Sequence, residues 1–143
     1  MNETLPCYRV FLSHSSTDAW VAKQLSIYLE RCGAETFLDV NDIEHGDDFD
    51  EAIVDAAERS NELLVLVTPW SKDRNYVWME IGMFRGARKR VVGVLHGLKS
   101  SDIATDERIP VVLKKIDLVD LNDVDSYLVQ LARRAAGANN ART

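Results

Sequence analysis

Apolar residues fall into short, nearly continuous runs, separated by longer stretches in which they recur three and four positions apart. The first run is Tyr8-Arg9-Val10-Phe11-Leu12-Ser13. Glu35-Thr36-Phe37-Leu38-Asp39-Val40 and Leu63-Leu64-Val65-Leu66-Val67-Thr68 follow. Val91-Val92-Gly93-Val94-Leu95-His96 and Ile116-Asp117-Leu118-Val119-Asp120 complete a set of five. The third and fourth are rich in Val and Leu without polar alternation, the pattern of strands buried on both faces of a parallel sheet.

Helical periodicity fills the intervals. Val21, Leu25, Tyr28, Leu29 and Cys32 form one stripe, behind Ser16 or Thr17 as N-cap and with Gly33 as the stop. Phe49, Ile53, Ala56 and Ala57 repeat it behind Asp47 or Asp48, with acids in the first turn where the helix dipole favours them. A third helix is predicted over residues 75–88. Val124, Tyr127, Leu128 and Leu131 form the last, closed by Gly137. Residues 97–108 read as a polar loop, and 109–115 as either a short helix or an irregular crossover. Strict alternation of strand and helix implies right-handed crossovers and an α/β three-layer sandwich. Five parallel strands suit the flavodoxin-like order 2-1-3-4-5. One domain is expected over residues 1–136, with 137–143 a flexible tail or a linker to a further domain.

The 143 residues, 46% hydrophobic and 28% charged, suffice for a core without staples. A net charge of −6 argues against a broad phosphate-binding face, and so against nucleic acid as the main partner. Cys7 and Cys32 lack CxxC spacing and read as reduced thiols. The start, MNETLPCYRVFLS, lacks a signal peptide's basic end and apolar run, and no apolar stretch has the roughly 20 residues that span a bilayer. A cytoplasmic protein with no membrane partner is the expectation.

The standard signatures of enzymes on this fold are missing from the sequence. It contains no GxxxxGK[ST], no GxGxxG after the first strand and no GxSxG elbow. A receiver domain needs an Asp ending the third strand, where Thr68-Pro69-Trp70 stands. His14, His45 and His96 have no metal-ligand spacing, so no metal is expected. Ligands of such sheets bind outside the carboxyl ends of the strands. That edge carries Ser13 to Asp18, Asn41 to Asp47 and Thr68 to Ser71, most of which suit turns and caps.

Glu80 resists that reading. Its helical position lies inside the apolar stripe of Tyr76, Val77, Ile81, Phe84 and Ala87. A carboxylate there is partnered, protonated or open to a cleft, because an unpaired buried charge is costly. A structural pair with Arg74 or a backbone amide, and a prepared catalytic acid, both satisfy this requirement. Trp78 and Met79 fall outside the stripe beside Gly82 and Gly86, so either another chain approaches there or a neighbouring loop covers the indole.

Together these segments resemble the TIR (Toll/interleukin-1 receptor) domain, especially its bacterial members, over nearly the whole chain. Val10-Phe11-Leu12-Ser13-His14-Ser15-Ser16-Thr17-Asp18 is similar to the family's box 1. Phe37-Leu38-Asp39-Val40-Asn41-Asp42-Ile43, with Gly46-Asp47, resembles box 2 and its BB loop. Thr68-Pro69-Trp70-Ser71 and Tyr76-Val77-Trp78-Met79-Glu80-Ile81-Gly82 resemble the SP-x-S…WV-x-x-EL segment, with Tyr76 in place of the usual Trp.

The resemblance implies an NAD+ glycohydrolase or cyclase with Glu80 as its catalytic carboxylate and NAD+ as substrate, no cofactor being required. Phe11, Ser13, His14, Asp39, Ile43, Trp70 and Tyr76 would line the substrate. Asp42, Gly46, Trp78, Met79, Gly82 and Gly86 would serve an interface, since family members complete the pocket with a neighbouring BB loop. It further implies self-association through TIR–TIR contacts and a role in antiviral defence. A non-catalytic TIR adaptor is the alternative. A nucleoside deoxyribosyltransferase-like enzyme ranks below both, because the Tyr-rich, Gly-Pro first loop associated with that family is missing.

Overall fold

A computed structural model of the chain describes residues 8–40, 51–72, 74–109 and 111–140. Strands β1 (Arg9–His14), β2 (Glu35–Val40), β3 (Glu62–Val67), β4 (Arg90–Leu95) and β5 (Asp117–Asp120) alternate with helices along the chain. The helices are α1 (Ala19–Arg31), α2 (Glu51–Arg59), α3 (Asn75–Gly86), α4 (Ser100–Thr105), α5 (Val111–Lys114) and α6 (Val124–Asn140). All four strand pairings are parallel, in the order β2-β1-β3-β4-β5, as the periodicity predicts.

The sheet separates two apolar layers. Phe11, Leu63, Val65 and Val67 face α3, where Val77, Ile81 and Phe84 meet them. Val10, Leu12, Leu64 and Leu66 face the other way, onto Leu25 and Leu29 of α1 and Tyr127 and Leu131 of α6. Burial on both faces is why β3 has no polar alternation: Leu63 to Val67 are at most 1% exposed. At Gly93 of β4 a Cβ would stand 2.7 Å from Leu118 Cδ2, so a larger residue there would force the Leu118 side chain of β5 to shift.

One charged side chain interrupts the second layer. Glu62 opens β3 and is fully buried. Arg134 of α6 grips it through Nε at 2.8 Å and Nη2 at 3.1 Å. Tyr127 donates its hydroxyl to Oε2 at 2.5 Å, and the Tyr8 hydroxyl donates to Oε1.

Three local expectations need correction, and one open alternative is settled. The polar loop contains α4, whose single and a half turns carry one buried apolar residue, Ile103, too short a pattern to show periodicity. Residues 111–114 settle the open alternative after it as helix. A single 3-10 turn, Ser16–Asp18, precedes α1, so Asp18 rather than Ser16 or Thr17 holds the N-cap position. Helix α6 runs through Gly137 to Asn140, because one glycine weakens a helix without ending it. The second helix is described from Glu51, and its expected start at Asp47, Asp48 and Phe49 lies outside the described residues.

Candidate active site

The carboxyl ends of β1 and β3 and the first turns of α3 meet at one edge of the sheet. Side chains alternate along β1, so Phe11 and Ser13 point to the α3 layer while Val10 and Leu12 point away. Ser13 and Glu80 are both fully buried. Ser13 Oγ donates to Glu80 Oε1 at 2.5 Å across the strand–helix gap. The apolar-stripe position of Glu80 therefore places a carboxylate against a strand hydroxyl, in an otherwise apolar layer. Arg74 occupies the N-cap position of α3 and donates Nε to the Trp70 carbonyl at 3.0 Å.

The remaining hydroxyls and acids at this edge fasten its loops. Asp18 Oδ2 accepts from Ser15 Oγ and from Thr68 Oγ1, each at 2.6 Å, which staples the loop after β1 to the loop after β3. Ser71 Oγ donates to the Leu66 carbonyl at 2.8 Å and accepts from the Thr68 amide at 3.0 Å. Asp18 makes no side-chain cap bond. Its burial, with 4% exposed, is explained by the two hydroxyls it gathers, one from Ser15 nearby and one from Thr68, 50 positions away, a role that capping patterns do not reveal. His14, 3% exposed, has Nδ1 2.7 Å from the Ser15 carbonyl oxygen, which requires the proton on that nitrogen. Lys72 bridges to Asp106 at 3.1 Å and ties the same loop to the segment after α4.

The other expected site residues are distributed around this centre. Phe11 lies two residues deeper on the same face as Ser13, with ring centroids 5.0 Å from Phe37 and 5.5 Å from Phe84. Tyr76 is buried one turn before Glu80, and Trp70 is 51% exposed at the rim. Asp39 stands opposite Ser13 in the β1–β2 register. Ile43, Asp42 and Gly46 lie outside the described residues.

On the outer face of α3, Met79 is 52% exposed. A Cβ on Gly82 or Gly86 would meet nothing within 4 Å among the described residues. Trp78, expected exposed, is half-buried against the core, and its indole N–H donates to the Lys72 carbonyl at 3.2 Å. The neighbouring loop covers it, as the second of the two readings had it. A cavity of about 570 Å3, lined by residues including Arg9, Glu35, Thr36 and Phe37, opens at the far, amino edge of the sheet rather than beside Glu80.

Residues 10–133 match the family described as the TIR domain. The chain belongs to that family. This TIR domain is 27% identical over 104 residues to a Brachypodium distachyon protein named probable 2′ cyclic ADP-D-ribose synthase BdTIR. The match covers 71% of this chain and 46% of the relative, so the chain spans about half that protein's length. It superposes on the TIR domain of the Toll-related receptor TRR-2 from Hydra magnipapillata with a TM-score of 0.60 at 25% identity. That superposition covers 87% of this chain and 94% of that one. The TIR domains of the activated Roq1 resistosome, which directly recognises the pathogen effector XopQ, share the fold. Their TM-score is 0.56 at 19% identity, covering 93% of this chain and 84% of theirs.

Proposed function

We propose that this TIR domain cleaves the nicotinamide–ribose bond of NAD+, with Glu80 as its catalytic carboxylate. The observation that carries the reading is the fully buried Glu80 hydrogen-bonded to Ser13 at the carboxyl edge of the sheet, where ligands of this fold bind. A relative named for synthesis of a cyclic ADP-ribose supports the substrate.

Departure of nicotinamide leaves positive charge on the anomeric carbon and ring oxygen of the ribose. A carboxylate fixed in an apolar layer stabilises that charge more than one in water, because little reorganisation accompanies its formation. Ser13 holds one carboxylate oxygen in place, and in this reading Tyr76 and Trp70 supply the aromatic contacts to the substrate. Water attack on the anomeric carbon gives ADP-ribose. Attack by a nucleophile within the same molecule, on the adenine or the second ribose, gives a cyclic product, which the relative's name favours.

Glu80 has no exposed surface in the single chain, so substrate reaches it only after the covering residues move. Self-association through TIR–TIR contacts supplies that movement in this reading, with Met79, Gly82 and Gly86 on an open helix face as the contact. None of the described helices is long and apolar enough to cross a membrane, and the reading takes the enzyme as cytoplasmic. A defence role, antiviral and bacterial, completes the proposal. The same complete burial of Glu80 also favours the second reading, an adaptor that signals by TIR–TIR association without turnover.

Concentrated protein incubated with NAD+ distinguishes them. Nicotinamide release that is lost in Glu80→Gln establishes the enzyme, and the mass of the second product separates hydrolysis from cyclisation. Absence of release under crowding that forces assembly leaves the adaptor.

A further inference from the structure

Six of the chain's 17 lysines and arginines, Arg85, Arg88, Lys89, Arg90, Lys114 and Lys115, occupy two short stretches. The parallel pairing of β4 with β5 brings those stretches together at the amino edge of the sheet, far from the carboxyl ends that frame Glu80. Arg85, Arg88, Lys89 and Lys115 line one groove of about 350 Å3 with Val91, Ile116 and Asp117. Among the described residues, the side chains of Arg85, Arg88 and Lys115 enter no ion pair or hydrogen bond, although the chain carries 23 acidic residues. Lys89 is fixed as one wall, its Nζ donating to the Ala57 and Glu58 carbonyls at 3.0 and 2.8 Å.

Arg88 carries a second, independent signal. Helices α1 and α3 end in the same way. After α1, Gly33 donates its amide to Glu30 and Ala34 donates to Leu29; after α3, Arg88 donates to Arg85 and Lys89 to Phe84. This termination places its middle residue in the left-handed region, where glycine is favoured. Gly33 obeys with φ +96°, whereas Arg88 adopts φ +59°, the one positive value at a non-glycine among the described residues. The fold thus tolerates strain to keep a guanidinium where a glycine would relax it, and such outliers gather at functional sites. Favourable contact with the helix dipole accounts for Arg85, in the last turn of α3, but not for Arg88 or Lys115 beyond it.

We propose that this groove binds a phosphate-bearing small molecule of diphosphate size, at a site separate from Glu80 and independent of NAD+ cleavage. Guanidinium forks grip tetrahedral oxyanions through paired hydrogen bonds. A concave volume of about 350 Å3 is in the range of small-ligand sites, whereas a lipid surface or nucleic acid needs a broad basic face that a chain of net charge −6 lacks.

The test is calorimetric titration of the chain with inorganic pyrophosphate at low salt, beside thermal melts. Saturable one-to-one binding is expected, unchanged in Glu80→Gln and weakened on the order of tenfold by Arg88→Gly or Lys115→Ala. Arg88→Gly is also expected to raise the melting temperature by a few degrees, because it releases the strained backbone. Asp117→Asn, which removes the one carboxylate lining the groove, is expected to tighten binding. The proposal is overturned by absent saturation, by unchanged affinity in Arg88→Gly, or by a lower melting temperature in that variant. It is equally overturned if these residues bind vesicles of anionic lipid while pyrophosphate does not bind.

Discussion

Glu62 opens β3 at the amino edge of the sheet and faces α6, whereas Glu80 sits mid-way along α3 and meets the carboxyl end of β1. Both carboxylates are fully buried. Glu62 has a guanidinium on both oxygens and two phenol hydroxyls besides, so its charge is matched and its lone pairs are used. Glu80 accepts the hydroxyl of Ser13, within the apolar layer between α3 and the sheet. Burial alone therefore does not mark a reactive acid. The sheet edge on which each stands separates the two. Glu62 anchors the last helix at the amino edge. Glu80 stands at the carboxyl edge, where ligands of this fold bind and where the proposed chemistry would use it.

The largest effect expected from breaking this contrast is on stability. Glu62→Ala strands Arg134 and both tyrosines and should cost about 3–5 kcal/mol in denaturant unfolding, with turnover per folded molecule unchanged. Replacing the pair together, Glu62→Leu with Arg134→Met, should recover most of that loss. An equal loss in single and double variants would show that the charge match is not what anchors α6.

Glu80→Gln should behave in the opposite way. Nicotinamide release is expected to fall by about 100- to 1000-fold, with little change in the melting temperature. A large fall in stability with turnover retained would make Glu80 a second anchor and erase the distinction.

Ser13→Ala probes the bond that orients Glu80. The expected result is a drop in kcat of about tenfold at unchanged KM, with Ser13→Thr restoring much of it. A rise in KM alone would instead make Ser13 a substrate ligand.

The smallest effect falls on the rim of the Glu62 cluster. Burial, then the hydrogen bond and charge of Glu62, push the Tyr8 hydroxyl up to about 12, and burial also raises Tyr127. A folded-state value above the unfolded one, near 10, means the folded chain keeps its proton longer than the unfolded chain. The resulting stability is complete below pH 10 and is lost as pH rises toward 12. Tyr8→Phe should cost about 1 kcal/mol at neutral pH and flatten that alkaline decline, as pH-dependent urea melts would show.

Much of this molecule is written locally. The continuous apolar runs at residues 63–67 and 91–95 specify strands buried on two faces. Their alternation with helical stripes specifies the parallel order of the sheet, because right-handed crossovers leave few alternatives. The family is legible in three ordered motifs. Glu80 stands out because a charge in an apolar stripe violates a pattern readable within a few turns of helix.

Tertiary structure decides what each polar group touches. Glu62 reads as the polar start of an apolar strand, and only the fold brings it Tyr8 from 54 positions away and Arg134 from 72. Asp18 reads as a cap until Thr68 arrives across the loops, and Trp78 reads as exposed until Lys72 covers it. Arg88 is an ordinary surface arginine in the sequence and an outlier only once the end of α3 sets its φ. The physical reason is one of range. Periodicity encodes which residues leave water, whereas hydrogen-bond partners depend on which strand ends become neighbours after the crossovers close, and no local pattern carries that information.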